Sequence, residues 1–244
     1  MSMEIVSVQV GINDQQRSFA YRKDSSGDVG VIQQIFRDND YNISRWHQGR
    51  KLLNYHELQS KTRPSLIVDA GANIGASAVY FGSAYSNSAV FAIEPDSTNH
   101  RLLSLNTTSL NCFAFHGAIS DVDGELALVD PGRSDWGFMT APVEGNAAVN
   151  KVKSICPESI LAHEFAKGTT PLIFKIDIEG GEEALFRGQC EWMNKFPLVI
   201  IELHDWMLPF AGSSKSFINA LARYDFDIIH HGENTFLFNR SILS

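Results

Sequence analysis

The segment PSLIVDAGANIG (Pro64–Gly75) restricts the fold more than any other stretch of the chain. It reads as a short strand of consecutive apolar residues with Asp69 near its tip. A turn through Gly71 and Gly75 follows, and then a helix, ASAVYFGSAY. A strand that is apolar at successive positions expects cover on both faces, which is the habit of parallel sheets. VFAIEP (Val90–Pro95) supplies the next parallel strand and puts Glu94 at its end. A strand, a glycine turn, a helix and a second strand ending in an acid form the edge over which nucleoside-containing cofactors are held.

The alternation continues. NCFAFHGAIS reads as a third strand, PLIFKIDIEG as a fourth and FPLVIIELHD as a fifth, with helices between them. GELALVDPG reads as an extra strand or a hairpin arm. FDIIHHG and NTFLFN read as a terminal antiparallel hairpin. The expected class is therefore α/β, a mostly parallel sheet with helices on both faces. Residues 1–62 differ: a small hairpin around Asn13-Asp14, a short amphipathic helix over 29–38, and a segment over 45–60 that resists placement except for a helical tail. This region is expected to form a cap or lid, with 63–244 as the cofactor-binding domain. Residues 131–149 lack any period and read as a long loop, in which Trp136 and Phe138 could close over a substrate.

Composition removes several function classes. The formal net charge is -8 and no basic run exceeds two residues, so a long nucleic acid is not an expected partner. No apolar stretch has the length of a membrane span, and the start does not read as a secretory signal. Cys112, Cys156 and Cys190 are isolated, which argues for buried thiols in a reducing, cytoplasmic setting over disulfides or a thiolate zinc site. A homo-oligomer stays open.

At the cofactor end, a dinucleotide fingerprint wants glycine at its first, third and sixth positions. Here those positions hold Gly71, Asn73 and Ala76, which suits a cofactor without a pyrophosphate better than NAD. Glu94 can accept both ribose hydroxyls of an adenosine, or it can cap the helix that starts near Pro95. Asp121, with Ala118, Ile119 and Ser120, can approach the adenine edge or can simply belong to the turn SDVDGE.

IVDAGANIG, AIEP, AISDVDGE, FKIDIEGGEEALF and IIELH together resemble the FkbM family of S-adenosylmethionine-dependent methyltransferases, and DVGVIQQIFRDNDY resembles a stretch that often precedes its core. The resemblance implies a Rossmann-like class I methyltransferase fold with a seven-stranded sheet. It also implies O-methylation of small molecules, frequently sugars or natural-product hydroxyls. Carried over residue by residue, Asp69, Gly71, Asn73, Gly75 and Glu94 would surround the cofactor. Pro95, Ala118, Ile119, Asp121 and Asp177 are further candidates beside it. Asp177, Glu179 and His204 would face the transfer site.

The residues themselves add chemistry at that end. If strand four runs on through Asp177 and Glu179, both project to one face, with Ile178 on the other. Glu202 and His204 repeat the alternation on the neighbouring strand. His204 has the intrinsic range of a general base, and Asp177 can take the proton instead. Asp177, Glu179, Glu202 and His204 can also hold Mg2+, although the spacing does not require a metal. Glu182 and Glu183 read as acids that suit the first turn of a helix. Arg45, Trp46, His47, Arg50, Tyr55 and His56 can line a sugar or aryl pocket or serve ordinary packing. An NAD-dependent oxidoreductase and a non-enzymatic cofactor-binding partner are the competing readings.

Overall fold

The computed structural model describes residues 4–13, 15–129, 139–142, 150–207 and 209–244, with backbone alone at 129 and 139–142. Trp136 and Phe138 lie outside the described residues.

The chain opens on the expected hairpin: β1 (Ile5–Ile12) and β2 (Gln15–Arg22) pair antiparallel from Ile5↔Arg22 to Ile12↔Gln15. Asn106 ties it to the body, donating to the carbonyls of Ala20 and Ile74 and accepting the Ala20 N–H. α1 (Ser26–Ile32) begins where the Ser25 side chain accepts the Asp28 N–H, and it passes directly into one π-helical turn over Gln33–Arg37. The segment that resisted placement is largely one helix, α2 (His47–Gln59).

The core then assembles as read. β3 (Ser65–Ala70), α3 (Ala76–Ala84), β4 (Ser88–Glu94), α4 (Ser97–Asn106) and β5 (Cys112–His116) form one parallel run. The stretch NCFAFHGAIS is two strands instead of one. β5 stays in the main sheet, whereas β6 (Ala118–Ile119) joins a second sheet of order β6-β9-β7-β8. That sheet is completed by β7 (Gly124–Val129), β8 (Met139–Pro142) and β9 (Lys151–Ile155). The break falls at Gly117, where a Cβ would lie 2.5 Å from the Lys153 carbonyl oxygen and 2.4 Å from the Phe115 ring. Backbone approaches too closely there for any other residue.

α5 (Pro157–Ala162), β10 (Thr170–Ile176), α6 (Glu182–Leu185), β11 (Leu198–Glu202), α7 (Lys215–Leu221), β12 (Phe226–His231), β13 (Asn234–Asn239) and α8 (Arg240–Leu243) complete the chain. The seven-stranded sheet has the order β12-β13-β11-β10-β3-β4-β5, with β13 antiparallel to both of its neighbours. This is a Rossmann-like class I methyltransferase architecture with a C-terminal antiparallel hairpin.

Period-two alternation separates two apolar layers. Ile67, Val90, Ile173 and Ile200 face a layer that includes Phe19, Tyr41 and Leu52 from the N-terminal region. Leu66, Val68, Phe91 and Phe174 face the other, with Trp192 and Phe217. Strand order reverses between β3 and β10, so the crevice at their carboxyl ends is the place for a ligand. Among the described residues, no helix is long and apolar enough to cross a membrane.

Candidate active site

The tips of β3 and β10 are joined by a buried lysine. Lys175 Nζ donates to the Gly71 carbonyl oxygen at 2.7 Å and lies 3.2 Å from Asp69 and 3.4 Å from Asp177. Burial alone would lower its pKa, but the two carboxylates outweigh that and raise it. Asp69 also accepts the Ser77 hydroxyl at 2.6 Å. Gly71 has φ +79, and a Cβ there would lie 1.6 Å from the Asp177 carbonyl oxygen. The glycine is thus required by the chain that continues from β10. Gly75, at φ +92, meets Leu103 of α4, so it spaces two helices.

Glu94 lies buried at the end of β4. Its Oε2 accepts the Asn73 N–H at 2.9 Å and its Oε1 accepts the Asp96 N–H at 2.8 Å. Burial pushes its pKa up to about 7 against the pull of those two donors. The N-cap of α4 is Asp96, which accepts from the N–H groups of Thr98 and Asn99, so Glu94 is not the residue that caps that helix.

Two hollows open at this edge, of about 600 and 1070 Å3 including their mouths. The smaller is a groove lined by Glu94 and Asn99 together with apolar Ile93, Pro95, Ala118, Ile119 and Ile178. The larger is walled by Val31, Gln34, Glu202, His204, Trp206, Met207 and Glu233. Asn73, Asp177 and Glu179 border both. Of the residues expected at the cofactor, Asp69, Gly75 and Asp121 do not line the groove. The first two shape the turn behind it. Asp121 accepts the Ser120 hydroxyl and borders a separate hollow near Trp192.

β10 stops at Ile176 and β11 at Glu202, so the expected strand alternation does not carry Asp177, Glu179 or His204. The chain turns instead, with Glu179 at φ +37 and Gly180 at φ +83. The turn still delivers both carboxylates to the shared wall. His204 is nearly inaccessible. Its Nδ1 donates to Glu182 Oε1 at 2.5 Å, while Nε2 lies 3.4 Å from Glu202 and 3.6 Å from Asp177. Burial alone would lower the ring's pKa, but Glu182, Glu202 and Asp177 reverse that and hold it at about 10. Burial, with Asp177 beside it, raises Glu179 to about 7. Asp177, Glu202 and His204 bring three donor atoms within 4.8 Å of one another, close enough to surround a cation.

A family profile, Methyltransferase FkbM domain, matches residues 69–228. The chain belongs to the FkbM methyltransferase family. It is accordingly an S-adenosylmethionine-dependent methyltransferase. Among curated proteins, none matches the sequence. Solved structures resemble it at low identity. One is the T. thermophilus 16S rRNA N2 G1207 methyltransferase in complex with AdoMet and guanosine, at 14% identity and TM-score 0.44 over 98% of this chain and 51% of that one, so this chain spans about half its length. A methyltransferase from Geobacter sulfurreducens has 17% identity and TM-score 0.36 over 88% and 90% of the two chains. Aeropyrum pernix fibrillarin, with natively bound S-adenosyl-L-methionine, has 11% identity and TM-score 0.38 over 72% and 66%.

The groove fits the family's cofactor. Asn73 Oδ1 and Glu179 Oε2 are buried with no hydrogen-bond partner among the described residues, and both border it. Such atoms suit a ligand with an ammonium or other cationic group. The apolar sides suit a purine. Lys175 and Glu182 were missed in the sequence. Lys175 left a signal: a charge amid LIFKIDI must meet partners once that strand is buried. Glu182 left none, because an acid opening a helix explains itself. The aromatic and basic residues of 45–56 do not reach the larger hollow. Trp46 packs on Phe236 and His231, and His56 bonds Ser65. The N-terminal region contributes Val31 and Gln34 instead.

Proposed function

We propose that this protein transfers a methyl group from S-adenosylmethionine to a hydroxyl of a small acceptor, a sugar unit or a glycosylated metabolite. One observation carries the reading: the groove that suits the cofactor and the larger hollow meet at Asn73, Asp177 and Glu179. Methyl transfer needs donor and acceptor on opposite sides of one point, in line, and most of its acceleration comes from that alignment. Residues 1–62 then serve as a cap that supplies part of the acceptor wall, and 63–244 as the cofactor-binding domain.

When bound, the cofactor supplies an electrophilic methyl group on a sulfonium. Glu94 accepts the ribose hydroxyls, and its carboxylate is already oriented by two backbone donors. Asn73 and Glu179 face the cationic end. The acceptor's hydroxyl proton passes to Asp177 or to His204 Nε2. For His204 to serve, Nε2 must first shed its own proton, because Glu182 and Glu202 favour the imidazolium at neutral pH. Asp177, Glu202 and His204 could hold Mg2+, with acceptor oxygens and water completing its six-ligand shell.

Calorimetric titration with S-adenosylhomocysteine, with NAD in parallel, tests the cofactor half. The expected result is micromolar-range binding of the first and none of the second, whereas NAD alone would overturn the reading. An acceptor screen with and without Mg2+ then tests the other half.

A further inference from the structure

Beyond β11 the chain reads WMLPFA over 206–211, and Trp206 stands with 63% of its surface exposed. Among the described residues it packs into neither apolar layer of the core. A lone exposed apolar side chain is ordinary on a protein surface. Trp206, however, lines the larger hollow together with Val31 and Met207. Its backbone is also tied on both sides. Asp205, just before it, accepts the Ser213 hydroxyl at 3.1 Å and the Ser214 N–H at 3.3 Å. Met207, just after it, donates its N–H to the His204 carbonyl oxygen at 2.9 Å. A large flat side chain on an anchored backbone gives up little freedom when a ligand covers it.

The indole also stands next to the chemistry. The ring centroids of Trp206 and His204 are 6.5 Å apart, with the planes tilted by 45°. His204 Nε2 lies in turn 3.6 Å from Asp177, which borders both hollows. A sugar-sized ring laid on the indole therefore has its rim beside the atoms that would receive a hydroxyl proton. The rest of the lining says what kind of ring. The face of an indole is the negative side of its π system, so it favours the C–H bonds of a saturated ring over the face of another electron-rich arene. Oxygen acceptors on Gln34, Asn73, Asp177 and Glu202 suit a rim of hydroxyls. No lysine or arginine lines the hollow to balance a phosphate or a uronate.

We propose that Trp206 is the platform that selects the acceptor: a neutral saturated ring lies with its C–H face on the indole and turns one hydroxyl to Asp177 and His204. The inference rests on the methyl-transfer reading above and adds the residue that sets acceptor specificity. It makes configuration a matter of face. An axial hydroxyl on the side pressed to the indole breaks the contact and loses its own water without a partner. The same hydroxyl on the opposite side is accommodated.

The test uses the full chain with S-adenosylmethionine and Mg2+, and a panel of methyl glycosides that differ in the configuration of single ring carbons. Methyl uronosides and simple phenols are run beside them. Neutral glycosides are expected to be the substrates, with a clear preference among configurations. With the best of them, Trp206→Ala should raise KM by roughly 10- to 100-fold, an ordinary loss for a tryptophan anchor, and leave kcat within about threefold. The same variant should level the preference among configurations, which a merely structural role would not do. Trp206→Phe keeps a flat ring and should recover most of the loss. S-adenosylhomocysteine affinity within about twofold of wild type checks that both variants are folded. A KM in Trp206→Ala within about twofold of wild type overturns the proposal, as does a configuration preference that survives the substitution. Better turnover of phenols or uronosides than of neutral glycosides also overturns it, and so does silence of every glycoside on protein that binds S-adenosylhomocysteine. Failure to bind S-adenosylhomocysteine at all would instead strike the methyl-transfer reading beneath it.

Discussion

Glu94 and His204 hold protons outside their ordinary range, and each makes a prediction. Glu94 has its pKa raised to about 7 by burial, so in the empty protein the protonated form takes over below that pH. A carboxylate that accepts ribose hydroxyls favours the ionised form. Affinity for S-adenosylhomocysteine should therefore weaken as pH falls through about 7, and binding near that pH should release protons. Glu94→Gln should weaken binding by roughly 10- to 100-fold, the worth of a charge-assisted hydrogen bond, and flatten the pH dependence. The stability sign runs opposite: folding favours protonated Glu94, so its contribution is present below the ordinary carboxylate range and is lost as pH rises through about 7. For His204, held at about 10, base catalysis predicts that turnover keeps rising through neutral pH toward that value. Glu182→Gln removes the partner at Nδ1 and should move the rising limb to lower pH by about 1–2 units. A limb that stays in place would assign the proton to Asp177.

At the scale of elements, β3 and β10 are joined at their tips through Lys175. Lys175→Met would leave Asp69, fully buried, and Asp177, at the wall of both hollows, without their shared cation. The expected loss is about 3–5 kcal/mol in urea unfolding, partly recovered by adding Asp69→Asn. A loss below about 1 kcal/mol would show that the tie is ornamental to stability. Much at this scale was legible in the sequence. The apolar runs named β3 and β4 nearly residue for residue and placed β10 and β11 while running past their ends, because parallel strands covered on both faces leave little else for such runs to be. What escaped was where pairing stops. Side-chain pattern does not record the last main-chain hydrogen bond, so Asp177, Glu179 and His204 were read onto strands that end before them. Gly117 escaped for a similar reason, since the contact that forbids a side chain there comes from Lys153, 36 residues on. Glu182 escaped because its partner lies on another element.

For the whole molecule, the larger hollow draws on both ends of the chain. Gln34 Nε2 donates to Glu233 Oε2 at 3.3 Å, bridging the π-helical turn to the C-terminal hairpin. π-turns often mark functional sites, and this one presents Gln34 to the cavity. Gln34→Ala and Val31→Ala should raise the acceptor KM several-fold while leaving S-adenosylhomocysteine affinity within about twofold, as expected of changes distant from that ligand. Equal damage to both constants would mean that the N-terminal region supports the core and does not select the acceptor.

The seam at Asn73, Asp177 and Glu179 also divides the chain in another respect. Every residue that lines the cofactor groove falls inside the stretch matched by the family profile, residues 69–228. Val31, Gln34 and Glu233 fall outside it. Substitutions in those flanking segments can therefore change which molecule is admitted without touching a side chain that holds the methyl donor. An exchange of residues 26–37 with those of a relative would transplant taste and leave appetite intact.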